Sequence, residues 1–155
     1  MPITTPPIRA MSNVIVKYGA AAGSAVDITG ACNTAQLAAA VSEIETTTLA
    51  STGKETTPGQ TEWSIDCGGP WSKELDNALA PDVVTPPTVK RYGFIQFGKT
   101  GGNIVSYAWD PVIAVANSRS AYVSNYTVDA SNPSEALSWS GTLVLSGAPV
   151  RDATG

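Results

Sequence analysis

Histidine is missing from all 155 residues of this chain. Its absence removes His-based nucleophile triads, most acid–base designs that work near neutral pH, and the commonest metal ligand. Charge is scarce as well. Charged residues make up 14% of the chain, against about 25% in ordinary soluble domains. The basic residues are scattered and the formal net charge is −4, so the clustered positive charge needed to grip nucleic acid is lacking. Two cysteines without histidine make a poor zinc site. No stretch approaches the ~20 apolar residues of a membrane span, and the first residues, MPITTPPIRAMSN, hold no signal-peptide core. The expectation is a protein made in a cytoplasm, with Cys32 and Cys67 reduced.

Thr, Ser, Ala, Val and Gly take the place of the missing charge, and they favour strands and turns over helices. The length suits one domain spanning 1–155. Residues 1–11 carry three prolines and read as an extended N-terminal arm. Strands are expected over Asn13–Tyr18 and Val26–Ile28, while Ala31–Ala39 is ambiguous between a helical turn and a strand. Gly69-Pro70 reads as a helix start, with Trp71, Leu75, Ala78 and Leu79 on one face and Pro81 stopping the helix. From Val89 onward the pattern is β: Val89–Phe97, Asn103–Ala108, Val112–Ala116, Ala121–Asp129 and Ser138–Ser146. The tail, 147–155, reads as a second loose arm. The expected fold is therefore mainly β: a β-sandwich or partly open barrel with one short flanking α-helix, two extended arms and a long early hairpin loop.

The segment Ala40–Trp71 carries most information. Its first strand, Ala40–Leu49, has no strongly apolar face, since Glu43 and Glu45 alternate with Ser42, Ile44 and Thr46. Its second strand, Thr61–Gly68, puts Trp63, Ile65 and Cys67 on a core side and Glu62, Ser64 and Asp66 on the other. Between them Ala50–Gln60 is polar and long, which marks a functional or mobile loop. Glu43, Glu45, Glu62 and Asp66 are also the only source of a glycosidase-like carboxylate pair, but nothing selects two of them, and a wet acidic face explains all four. Gly93-Phe94-Ile95-Gln96-Phe97-Gly98-Lys99-Thr100 satisfies the phosphate-loop pattern GxxxxGKT. Its middle residues are strand formers and Gly101-Gly102-Asn103 begins no helix, so it reads as a β-hairpin with a glycine-rich turn. The tryptophans Trp63, Trp71, Trp109 and Trp139 read mainly as core.

The strand Glu43-Ile44-Glu45-Thr46-Thr47-Thr48, the turn Ser51-Thr52-Gly53-Lys54-Glu55, and Pro58-Gly59 ahead of TEWSIDCGG together resemble the major tail tube proteins of long-tailed bacteriophages. So does the ending SWSGTLVLSGAPVRD, and the likeness runs from Ser12 to Asp152. The resemblance implies a structural virion protein of the tail, assembled in the host bacterial cytoplasm, with no catalytic residue, no cofactor and no bound metal. It implies hexameric rings stacked into a hollow tube, a tape measure protein and a tail terminator as partners, and double-stranded DNA as a cargo that is not gripped. Glu43 and Glu45 are then the candidates for facing the lumen, and Ser51, Gly53, Lys54, Glu55, Pro58 and Gly59 the candidates for ring-on-ring contact. Competing readings are a capsid decoration domain, the inner tube of a contractile system, and a carbohydrate-binding β-sandwich with an exposed coplanar aromatic patch.

Overall fold

Alternating side chains build two antiparallel sheets that pack face to face. The structure is a computed structural model describing residues 14–98, 104–111 and 119–154. The N-terminal arm, most of the glycine-rich turn after Phe97 and the strand expected at Val112–Ala116 lie outside the described residues. The chain runs β1 (Val14–Gly19), β2 (Val26–Asp27), a 3-10 turn (Thr29–Ala31), β3 (Thr34–Glu45), β4 (Thr56–Pro70) and α1 (Lys73–Val84). It continues through β5 (Tyr92–Phe97), β6 (Ile104–Trp109), β7 (Ser120–Asp129), β8 (Ser138–Ser146) and β9 (Val150–Thr154). One sheet has the order β2-β1-β5-β6-β9 and the other β3-β4-β8-β7, and neither closes into a barrel.

The core forms where the inner faces meet. Val14, Val16 and Tyr18 from β1 and Ile95 from β5 oppose Ile65, Cys67, Trp139, Leu143 and Leu145 from the second sheet. The strict alternation in β8, with Trp139, Gly141, Leu143 and Leu145 buried, is the period-two pattern expected of a strand with one wet face. In β7 the alternation breaks. A bulge between Val123 and Asn125 moves the inward set from Ala121 and Val123 to Tyr126 and Val128, so Tyr122 does not share a face with Tyr126 as simple alternation predicts. Gly147 sits at φ 80° in the turn to β9, a conformation that disfavours any side chain there. Its carbonyl accepts the Trp109 indole N–H at 3.1 Å.

Several boundaries differ from the sequence expectation. The ambiguous stretch before Ala40 is strand from Thr34 onward, because Ala35 and Leu37 pair with Cys67 and Ile65. Thr46–Leu49 leave the ladder and Thr56–Gln60 join it. The helix starts at Lys73, not at Pro70: Ser72 is the N-cap, its hydroxyl accepting the Leu75 N–H at 3.2 Å, while Pro70 ends β4. Pro81 does not stop the helix, which runs on to Val84 and closes with Thr85 N–H on the Pro81 carbonyl. A proline this near the end forfeits only one backbone bond, and Asp82 beside it is anchored from outside. The tail expected as a loose arm is, at Val150–Thr154, an edge strand paired with β6.

Helix α1 is tied to one strand of each sheet through tyrosine–carboxylate bonds. Tyr18 of β1 donates to Asp82 Oδ2 at 2.6 Å, and Arg91 donates to Asp82 Oδ1 at 3.0 Å. Tyr126 of β7 donates to Asp76 Oδ1 at 2.8 Å and accepts from the Trp71 indole at 3.1 Å. Burial first, and then the carboxylate partner, raises both phenols, Tyr126 to about 12. In the unfolded chain these phenols ionise near pH 10. Above that pH the unfolded state holds fewer protons than the folded one, so stability falls as pH rises toward the folded values. The urea midpoint should therefore be level below about pH 10 and drop above it, and Tyr126→Phe should flatten that drop. A midpoint equally steep in Tyr126→Phe would contradict this role.

Candidate assembly surfaces

Three features of the surface stand out: the outer face of the four-stranded sheet, its two edges, and a projecting hairpin. The outer face follows from the register. It carries Gln36, Ala38 and Ala40 on β3, and Glu62, Ser64 and Asp66 on β4. Ser138, Ser140, Thr142, Val144 and Ser146 continue it on β8, and Tyr122, Asn125, Thr127 and Asp129 on β7. Apart from Gln36 and Tyr122 the face is made of short uncharged side chains, with three carboxylates and no Lys or Arg. Asp66 is fixed there by Thr142, whose hydroxyl donates to its Oδ1 at 2.7 Å. A shallow furrow of about 590 Å³ crosses this side of the sheet, lined in part by Ala38, Ala40, Glu62, Ser64, Tyr122 and Val144. Its lining holds one carboxylate, Glu62, and no Lys or Arg.

The edges of this sheet are β3 and β7; the outer side of β7 is bridged only at Ala121, whose N–H bonds the Arg91 carbonyl at 2.9 Å. Their sequences, TAQLAAAVSEIE and SAYVSNYTVD, contain no proline and no lysine. Lys and Pro are two devices with which monomeric proteins blunt exposed edges; a third, the bulge, is present in both ladders, at Val41/Glu43 and at Val123/Asn125. The edges of the other sheet are shorter, β2 with 2 residues and β9 with 5.

Beyond Val41 and Thr61 the β3–β4 hairpin leaves the core, and no residue from Ser42 to Gln60 is buried. A bulge marks the exit. Ser42 faces Gly59 and Gln60, its hydroxyl on the Gln60 carbonyl at 3.2 Å, and a Cβ at Gly59 would displace that hydroxyl. The tip is ordered by its own threonines and serines. Thr46 N–H bonds the Glu55 carbonyl at 2.9 Å, Glu55 N–H bonds Thr47 Oγ1 at 2.9 Å, and Thr48 N–H bonds Ser51 Oγ at 2.9 Å. Leu49 stands at this tip with 110% relative exposure, and Ile44 and Val41 are also exposed.

The candidate residues fall as follows. Ser51, Gly53, Lys54 and Glu55 are on the tip, whereas Pro58 and Gly59 lie inside β4, where Pro58 pairs with Glu43. Glu43 and Glu45 are exposed, but by alternation along β3 they continue the side of Leu37 and Val41, not the side of Glu62 and Asp66. Sequence reading missed Leu49, which looked like the end of a strand and is the apolar point of the hairpin. It also gave no weight to Asp129, which reaches the acidic face only because of the bulge in β7. Of the phosphate-loop match, Gly93–Phe97 is strand β5, and Lys99 and Thr100 lie outside the described residues. Trp109 and Trp139 are buried, while Trp63 and Trp71 are half-buried. The rings of Trp63 and Trp109 meet edge-on at 5.6 Å, an interior cluster and not a flat sugar platform. Among the described residues no three His, Cys, Asp or Glu side chains converge as a metal site, and no helix is long and apolar enough to cross a membrane.

No protein-family model and no curated protein matches the sequence. Solved structures match over nearly its whole length. A chain in the structure of the anti-feeding prophage cap, the AFP tube-terminating cap, aligns with a TM-score of 0.64 at 13% identity, covering 99% of this chain and 97% of that one. A chain in the sheath/tube terminator of the PVC extracellular contractile injection system, in its extended state, gives 0.64 at 14%, covering 97% and 100%. The SPP1 tail tube gives 0.61 at 14%, covering 95% and 80%. The fold of this chain is thus one that it shares with chains of tail tubes and of tube-terminating complexes.

Proposed function

We propose that this chain is the structural subunit of a tail tube. Copies pair β3 of one subunit with β7 of the next, so the four-stranded sheets join edge to edge into a ring with no free edge left. This is a heterologous contact that closes, and β-strand addition supplies its backbone hydrogen bonds. Rings of six, the number the resemblance implies, then stack into the tube. The outer face of the four-stranded sheet becomes the wall of the bore, and double-stranded DNA passes along it without being held. The protein is not an enzyme, its place is the virion tail, and a tape measure protein and a tail terminator are its expected partners. The observation that carries this reading is the combination of two long edges free of Lys and Pro with an acidic, cation-free face between them.

The bore assignment puts Glu62, Asp66 and Asp129 on the wall. Short side chains make it smooth, and carboxylates repel phosphate, the reverse of a DNA-binding surface. Glu43 and Glu45, on the other side of the hairpin, are assigned to contacts between rings along with the tip. The double variant Glu62→Lys/Asp66→Lys tests the wall. Its tubes should form normally but retain linear duplex DNA in a salt-sensitive manner, whereas parent tubes retain none. Equal DNA retention by both would remove these residues from the bore. A second reading, a terminating ring that does not extend, is favoured by the likeness to terminator complexes. It predicts isolated rings at every protein concentration in place of tubes.

A further inference from the structure

Strand β3 runs beyond the cover that its own subunit provides. Leu37, Ala39 and Val41 pair with Ile65, Trp63 and Thr61 and so share the inward side of the sheet. Leu37 is half-buried against the core, but Ala39 and Val41 are exposed, Val41 with 54% relative exposure. The opposite edge of the sheet holds a groove. Residues 86–91 follow helix α1 and cross the start of β7 as a strap, where the Arg91 carbonyl accepts the Ala121 N–H at 2.9 Å. The Arg91 side chain anchors the strap on Asp82 at 3.0 Å. Between strap and strand lies a groove of about 220 Å³, lined in part by Pro86, Pro87, Val89, Lys90, Ala121 and Val123.

We propose that this strap is the stop of the ladder between subunits: β3 of the neighbouring copy ends its pairing at Val41, whose side chain enters the groove. The inference rests on the edge-to-edge ring proposed above and adds its direction and register. Direction comes from the sheet itself. In the order β3-β4-β8-β7 every adjacent pair is antiparallel, so β7 runs opposite to β3. Rotation about a bore axis that follows the strands preserves their direction, so the incoming β3 is antiparallel to β7. Its Val41 end then meets the Ser120 end of β7, where the groove is.

Register follows from what is already bonded. The Ala121 N–H is spent on Arg91, so Val123, the next inward residue of β7, is the first open to a neighbour among the described residues. Residues of like facing must pair, because a slip of one would turn the bore face inward. Val41 opposite Val123 satisfies this with the longest ladder. It also carries Ala40, Ala38 and Gln36 beside Asn125, Thr127 and Asp129, and so continues the bore face across the joint. Any further and the incoming strand would run into Arg91. There β3 shifts its own register, between Val41 and Glu43. The hairpin that rises past the groove carries Glu43, Glu45 and Glu55 against a single Lys54, a charge that suits Lys90 in the groove wall.

The test places the photo-crosslinking residue p-benzoylphenylalanine at position 41 of the full-length protein, assembled from a mixture of isotopically light and heavy chains. Peptide mapping after irradiation should find links between copies, from position 41 to 86–90 or 120–123. The same probe at position 89 should link back to 39–43 of another copy, which keeps the test valid if the bulky ring at position 41 blocks assembly. Val41→Glu should keep the parent's melting midpoint, because the side chain is exposed in the subunit, yet raise the concentration needed for assembly roughly tenfold or more. Val41→Ile, which still fills the groove, should assemble as the parent does. Links between copies that fall on 126–129 would overturn the stop and its register while leaving the ring intact. Links within one chain only, or between copies at sites away from β7, would overturn the ring reading as well. Assembly of Val41→Glu at the parent's concentration would overturn the role of Val41 and with it the proposal.

Discussion

Replacing residues 42–60 by an Asn-Gly turn is expected to leave a folded, soluble subunit that forms no tubes. Folding and assembly depend on different parts of the hairpin. None of the removed side chains is buried, and the cut falls just beyond the Val41–Thr61 pair, where the hairpin leaves the core. Asn-Gly is the turn that suits a two-residue connection between antiparallel strands. The unfolding free energy should therefore stay within roughly 1 kcal/mol of the parent. Assembly should fail because the excursion has no function in the monomer. It is internally bonded at its tip, it projects, and it carries Leu49 and Ile44 exposed. One exposed leucine is ordinary on a protein surface; two large apolar side chains along an ordered projection mark an anchor for a neighbour. Leu49→Glu is the smaller variant and should raise the concentration needed for tube growth at least tenfold, which corresponds to ~1.4 kcal/mol per contact. Negative-stain microscopy and sedimentation velocity read both effects. Normal tubes from the 42–60 replacement would show that the hairpin is not the contact between rings.

Trp109→Ala should have the largest effect on the fold itself. The indole is 0% exposed, faces Gly93 across the β5–β6 ladder, and packs against Trp63 at 5.6 Å and Tyr107 at 6.5 Å. The missing side chain at Gly93 leaves room for Ala121 and Leu145 of the facing sheet, into which a Cβ there would run. Truncation removes the buried ring and leaves a cavity between the sheets, for about 3–5 kcal/mol. It also strips the Gly147 carbonyl of its indole donor, adding about 1 kcal/mol. Against a total of 5–15 kcal/mol typical of a domain, roughly a third or more of the stability disappears. Trp109→Phe should cost far less, since a ring still fills the space and only the hydrogen bond is lost. Urea denaturation separates the two variants. A loss below about 1 kcal/mol for Trp109→Ala would mean the sheets close over the gap, contrary to the rigid stacking described.

What the sequence made legible follows its strongest periodicity. Trp63, Ile65 and Cys67 alternate with Glu62, Ser64 and Asp66, and the structure puts the two sets on opposite faces of β4. Trp139, Leu143 and Leu145 were equally readable, because nothing interrupts the period of two in β8. Where a single residue is inserted, alternation misleads. The bulge at Val123/Asn125 sends Tyr126 inward and Asp129 outward, and no local signal announces it. Proline was misjudged twice for the same reason. Pro70 and Pro81 carry strong local preferences, but Ser72 as a cap and Asp82 as a tether to Tyr18 and Arg91 outweigh them. The tail GAPVRDATG looked loose because five short residues give little pattern, whereas its pairing with Ile104–Ala108 is a long-range contact. The assembly surfaces were legible only in part. Acidic and polar composition pointed to the hairpin, but which carboxylates share a face depends on register, which is set by β4 and β8 and not by β3 alone.

The central claim is that this chain closes into rings whose bore is walled by the outer face of the four-stranded sheet. A cryo-EM reconstruction of the purified protein at assembling concentration tests it most directly. The predicted result is a hollow tube of stacked rings in which β3 of each subunit pairs with β7 of its neighbour and Glu62, Asp66 and Asp129 line the bore. A protein that stays monomeric at every concentration, or a tube walled instead by the β2-β1-β5-β6-β9 sheet, would contradict it.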